Sequence, residues 1–259
     1  MAQLFDDVFN PKSIYEMLFF NAKSVLMYPT LVELEKNDKS LFDRWNHLAK
    51  SRYDSETLGN LQSIYEKNAV YYPEFNKIVA ITYATLYIDN GPLKRYMKKI
   101  INENEFVVLQ TFMDELHSLS SEGAKSTPEY YPIMCGHNIL SHDIPLLIKK
   151  FIKYRNQFDN NKKIPLILKK SLGIKPWESG VIDTMDVWKF NGYDKMPLML
   201  IADYLGLKKT VDLLPLDEVS KKYHELINDK PDEALEFVSL QSATQTNLVI
   251  QLMNELRQL

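Results

Sequence analysis

The run from Asn76 to Ile88 (Asn-Lys-Ile-Val-Ala-Ile-Thr-Tyr-Ala-Thr-Leu-Tyr-Ile) limits the fold more than any other stretch. It is β-branched and aromatic throughout and reads as a strand. Asn90-Gly-Pro follows as a turn, and Leu93 to Ile101 returns as a strand of a meander. Helix is the rival reading there, because Lys94, Arg95, Lys98 and Lys99 also suit an amphipathic turn. Upstream, Met17-Leu-Phe-Phe-Asn-Ala-Lys-Ser-Val25 reads as a buried strand interrupted by Asn21 and Lys23. Side chains alternate along a strand, so these two polar groups share a face.

Helical patterns surround these strands. Asp38 to Arg52, Ser55 to Asn68, Glu105 to Ser118, Ile144 to Phe158, Met196 to Leu207, Leu216 to Leu226 and Pro231 to Leu259 are the expected helices. Val181 to Phe190 is a compact segment. Residues 159–180 contain Pro165, Pro176 and Gly180 and cannot be one helix. The expectation is an α/β fold, a mixed sheet with an antiparallel meander flanked by helices. It is one domain over residues 1–259, with a lead-in at 1–16 and a basic edge insertion at 159–180.

The bulk numbers narrow the class. The chain has 259 residues and a net charge of −3, so any nucleic-acid surface must be local. Its one cysteine, Cys135, excludes an internal disulfide and reads as a packed thiol. His47, His117, His137, His142 and His224 lack zinc-ligand spacing. No apolar run reaches membrane-spanning length, and no signal-peptide pattern is present, so a cytoplasmic protein without a membrane partner is expected. The Asn- and Lys-rich composition suits a bacterial or phage source.

The stretch Met134-Cys-Gly-His-Asn-Ile-Leu-Ser-His-Asp143-Ile-Pro145 joins a short strand, Pro132 to Cys135, to an apolar helix. It has two readings. Ser141 or Asp143 suits a helix N-cap, with Pro145 in the first turn. Alternatively, a carboxylate at a strand-to-helix corner presents a metal ligand or general base.

Several segments, in order, resemble one family. Met17–Val25 resembles a first motif in which an apolar strand carries Asp-Ile-Glu-Thr. Tyr28-Pro29 and Trp45 fit, and Tyr72-Pro-Glu-Phe-Asn-Lys-Ile-Val-Ala-Ile81 resembles the second strand. Cys135-Gly-His-Asn-Ile-Leu-Ser-His-Asp-Ile-Pro145 resembles a motif in which Gly-His-Asn leads to Phe-Asp-hydrophobic-Pro. Lys175-Pro-Trp-Glu178, Ile182–Phe190 and Leu198–Gly206 complete the series. The chain is thus similar to the predicted 3′–5′ exonucleases related to the proofreading domain of family B DNA polymerases. These belong to the DEDD class of ribonuclease-H-like folds.

The resemblance implies a chemistry. Four carboxylates hold two divalent metals roughly 4 Å apart, which activate water and stabilise the leaving oxygen of a phosphodiester. Asn21 and Lys23 stand where the first motif supplies Asp and Glu, and Asp143 is retained. Gln241 and Gln245 stand where the closing helix supplies Tyr and Asp. From Phe237 to Asn254 that helix has no Asp, Glu or Tyr in any register. Glu33 and Glu35 follow the Tyr28-Pro29 turn and read as solvent-facing. Lys23 would repel a dication, and amide carbonyls ligate hard cations weakly.

The expectation is therefore a catalytically inactive exonuclease-like protein that binds single-stranded nucleic acid without cleaving it. Between residues 149 and 176 nine basic residues face Asp159 alone. Lys23, Asn138, Lys149, Lys150, Lys153, Lys162, Lys163, Lys169 and Lys170 are the candidate nucleic-acid contacts, with Trp177 and Trp188 as stacking surfaces. One alternative is a scaffold that docks a protein partner in a replication or phage assembly. Another is a residual metal-dependent exonuclease. No cofactor is expected; Mg or Mn enters only with that last alternative, with Asp143 the one ligand kept. Asp183 and Asp186 read as caps. Lys23 and Asp143 are expected to pair as ions in the groove.

Overall fold

In the computed structural model, the residues described are 13–53, 60–90, 93–123, 132–158, 164–165, 168, 181–190 and 192–258. The strands are β1 (Met17–Leu26), β2 (Asn76–Ile88), β3 (Leu93–Ile101), β4 (Ile133–Gly136) and β5 (Val181–Asp183). They form one mixed sheet in the order β3-β2-β1-β4-β5. The first three are antiparallel, whereas β4 runs parallel to β1 and β5 parallel to β4. The meander reading of Leu93–Ile101 therefore stands and its helical rival does not.

The helices are α1 (Leu31–Asn37), α2 (Lys39–Arg52), α3 (Leu61–Asn68), α4 (Glu105–Gly123), α5 (Ile144–Lys153), α6 (Thr184–Trp188), α7 (Leu198–Leu205), α8 (Leu216–Ile227) and α9 (Pro231–Leu256). All ten residues of β1 are buried, because helices cover both faces of the sheet. Leu18, Phe20 and Ala22 pack with Val108, Phe112 and Leu116 of α4 and Leu147 and Phe151 of α5. Met17 and Phe19 point the other way, into a cluster with Ile201 and Ala202 of α7 and Leu248, Leu252 and Met253 of α9. A third cluster gathers α2 and α3 beside the sheet end. There Trp45 lies edge-on to Tyr65 and Phe75, with ring centroids 5.3 and 5.2 Å apart.

Several boundaries differ from the sequence reading. Residues 31–37 form a helix that was not expected, capped by Thr30, whose hydroxyl accepts from Glu33 N–H at 3.2 Å. Glu33 and Glu35 on it are exposed, away from the sheet. The compact segment at 181–190 resolves into β5 and α6, with Asp183 capping α6 through Met185 N–H at 3.0 Å. The expected start at Ser55, the lead-in up to residue 12 and most of 159–180 fall outside the described residues.

β3 is an outer strand of the sheet and is largely exposed. Four cations decorate it. Lys94 pairs with Asp89, Lys98 with Glu115 and Lys99 with Glu236, while Arg95 donates to Asn247. Among the described residues, no helix is long and apolar enough to cross a membrane.

Candidate functional site

β4 is short, and its register with β1 ends at Phe19–Cys135. Beyond that point β1 has no strand on that side among the described residues, and its backbone groups take other partners. Ala22 N–H donates to Asp143 Oδ1 at 2.7 Å, and Asn21 Nδ2 donates to the same oxygen at 3.1 Å. Further along, Leu26 N–H donates to Ser220 Oγ of α8 at 2.9 Å, and His224 Nε2–H donates to Leu26 O at 2.9 Å. The gap left by β4 is thus a groove whose floor is the middle of β1.

The corner that carries Asp143 is tightly built. A Cβ on Gly136 would lie 2.3 Å from Ile139 Cγ2 and 2.9 Å from Phe20 O, so no larger residue fits there. Asn138 takes a left-handed conformation, φ 63°, and a single π turn spans Ile139–Asp143 before α5 begins. Asp183 holds this turn from β5, accepting Asn138 N–H at 2.7 Å and Leu140 N–H at 3.0 Å. Burial raises its carboxyl to about 6, against the pull of those amides. His137 is buried below, and its Nε2–H donates to Met196 O at 2.9 Å. Burial lowers its pKa to about 4, so it is neutral at physiological pH.

Asp143 is therefore not a helix cap. It makes no capping bond to α5, and its carboxylate is turned to β1 instead. Ser141 is exposed and makes no capping bond among the described residues. His142 Nδ1 lies 3.5 Å from the second Asp143 oxygen, and the His142 ring meets Tyr71 edge-on, at 6.5 Å.

The groove encloses a volume of about 420 Å³. Asn21, Lys23, Asn138, Asp143 and Gln245 all line it, as do Tyr71, His137 and His142. Lys23 comes from β1, two residues past Asn21 on the same face. Its ammonium does not pair with Asp143; no bridge within 4.0 Å joins them. Nζ donates instead to Gln245 Oε1 of α9 at 2.6 Å. The expected ion pair is thus replaced by a hydrogen bond, while Asp143 Oδ1 serves Ala22 and Asn21. Burial lowers Lys23 to about 8 from 10.5, and the charge on Asp143 pulls it partly back. Asn21 Oδ1 has no hydrogen-bond partner among the described residues.

Gln241 departs from its expected place. It lies one turn before Gln245, yet it does not line the groove beside Lys23. Its side chain bonds the 212–214 loop instead.

The lysines of α5 also need correction. Lys150 is 1% exposed; its Nζ donates to Asn76 O and pairs with Glu105 Oε1 at 2.9 Å. It cannot touch a ligand on the surface. Lys153 pairs with the other Glu105 oxygen at 3.2 Å, and exposed Lys149 lies 3.8 Å from Glu74. Glu105 also accepts from Ile78 N–H at 2.8 Å and Tyr154 OH at 3.0 Å. The positive charge on α5 is thus answered by carboxylates on neighbouring elements, which a count along the sequence misses. Lys162, Lys163, Lys169, Lys170 and Trp177 lie outside the described residues. Trp188 is half-buried against Phe190 and Tyr204, with ring centroids 5.9 and 6.3 Å away.

The donor set does not fit the metal pair that the resemblance implies. Of the four carboxylates only Asp143 is present, with one oxygen taken by two N–H donors and a lysine ammonium in the same groove. Among the described residues no three His, Cys, Asp or Glu side chains are grouped to hold a metal ion. No family model, curated protein or solved structure matches the chain.

Proposed function

We propose that this chain is a ribonuclease-H-like, exonuclease-related protein that has lost two-metal chemistry and binds single-stranded nucleic acid in its groove without cleaving it. The observation that carries the reading is Lys23: a cation fixed by Gln245 in a groove about 420 Å³ in volume, beside the lone carboxylate Asp143. An ammonium there repels a dication and attracts a phosphate. The sheet order supports the fold half of the proposal. An antiparallel β1–β3 meander continued by parallel β4 and β5 agrees with the layout the resemblance implies. Part of the lining is apolar, with Met185, Leu198, Met199 and Leu214 among it, and suits the uncharged part of a nucleotide.

The contact set is smaller than the sequence suggested, since Lys150 and Lys153 serve Glu105. Lys23 and Asn138 remain in the groove. Binding of labelled single-stranded oligonucleotide should need no added metal, should weaken as salt rises, and should fall about ten-fold or more in Lys23→Met. Metal-dependent release of mononucleotides that disappears in Asp143→Ala would defeat the proposal. So would an absence of binding at low salt.

A further inference from the structure

Gln241 is 3% exposed, and both ends of its amide are committed to one loop. Leu214 N–H donates to its Oε1 at 2.9 Å, and its Nε2 donates to Asp212 O at 3.0 Å. The loop between α7 and α8 is thereby fastened to α9. A second tie comes from Leu213, whose N–H meets Met199 Sδ at 3.4 Å. Leu213, Leu214 and Pro215 of the fastened loop line the groove, with Leu216 at the start of α8. The groove therefore has a charged and amide-lined floor of Asn21, Lys23 and Gln245, and an apolar wall that the buried Gln241 fastens at two points and Met199 at a third.

A long, polar side chain buried in a helix–loop contact is costly unless both its donor and its acceptor are satisfied. Here they are, by backbone groups two residues apart in sequence. Such a two-point bond fixes the loop in both position and twist. We propose that Gln241 is a positioning residue for ligand selectivity: it sets the 212–214 loop as the wall that holds the nucleobase of a bound strand while a phosphate meets Lys23. The inference rests on the reading of the groove given above and adds to it which part of the ligand is discriminated and by what.

The test compares two 5′-labelled single-stranded oligonucleotides by fluorescence anisotropy with the full chain, one ending in an ordinary 3′ nucleotide and the other in a 3′ abasic residue. The wild-type chain should favour the base-bearing strand by roughly ten-fold, within the range of one base–side-chain contact. Gln241→Leu removes both bonds at similar volume. It should bring the preference to within about two-fold and leave affinity for the abasic strand close to wild type. Hydrogen exchange at the Leu214 amide reads the fastening directly and should lose protection in Gln241→Leu.

If Gln241→Leu does not fold, Gln241→Glu decides. It sets a carboxylate against Asp212 O, so a full wild-type preference in that variant overturns the proposal. Equal weakening toward both strands in a folded Gln241→Leu also overturns it, because the residue would then support the fold alone. A wild-type chain that binds both strands equally defeats the selectivity claim but keeps the groove reading. A wild-type chain that binds neither defeats both.

Discussion

Lys23 and Asp143 illustrate how two side chains in one groove divide their partners. Ala22 N–H is the stronger claim on Asp143, because a backbone donor at a strand edge without a ladder partner must find an acceptor. Lys23 is then left to a neutral amide, Gln245. Burial against so modest a partner holds its pKa near 8. Between about 8 and 10.5 the unfolded chain keeps a proton that the folded chain has lost, so this residue makes stability rise with pH across that window. Urea unfolding at pH 7.5 and pH 10 should show a smaller gain for Lys23→Met than for the wild-type chain. An identical pH dependence in the two would place the Lys23 ammonium in bulk water. Asn21, Lys23, Asp143 and Gln245 could be brought to one groove from the sequence motifs; Gln241 could not. Its place follows from where the 212–214 loop passes, and nothing local to α9 records that.

Among the elements, α5 is the clearest case of pattern and composition disagreeing. Lys149-Lys150 reads as a charged pair, yet the helix repeat separates them. Lys150 falls on the stripe of Leu146, Leu147 and Phe151, and its neighbour Lys149 faces out. That periodicity was present in the sequence and is the signal that could have identified the buried lysine. Its partner could not be found that way, since Glu105 begins α4, far along the chain. Removing one member of a buried pair strands the other, so Lys150→Met should cost about 3 kcal/mol in chemical denaturation, the low end for such pairs. The low end applies because Glu105 keeps Ile78, Lys153 and Tyr154. Lys149→Met should change stability by no more than about 0.5 kcal/mol. Equal effects would mean that the charges, rather than burial, set the energetics. β2 was legible because eight of its thirteen residues are β-branched or aromatic. β5 was not, because three residues carry no period and the strand exists only through its pairing with β4.

For the molecule as a whole, the mixed sheet and its helical layers were readable because β1 and β2 are strongly apolar and the closing helix is long. The distribution of charge between elements was not readable, since it depends on which helix meets which strand. The groove gives a prediction at this scale. A ligand that binds the folded state raises its melting temperature by mass action. Manganese or magnesium at millimolar levels should leave the melting temperature unchanged beyond the general effect of salt. A rise that disappears in Asp143→Ala would reveal a metal site built on that carboxylate.

The outer strand β3 has a consequence of a different kind. Among the described residues no strand pairs with its outer edge, and such an edge of nine residues is a template on which another chain can add, copy after copy. Lys94, Arg95, Lys98 and Lys99 stand along it, and an added strand would have to desolvate these cations together with the contacts they make to Asp89, Asn247, Glu115 and Glu236. The same residues that suit a helical reading of this stretch thus weigh against growth of the sheet past its last strand.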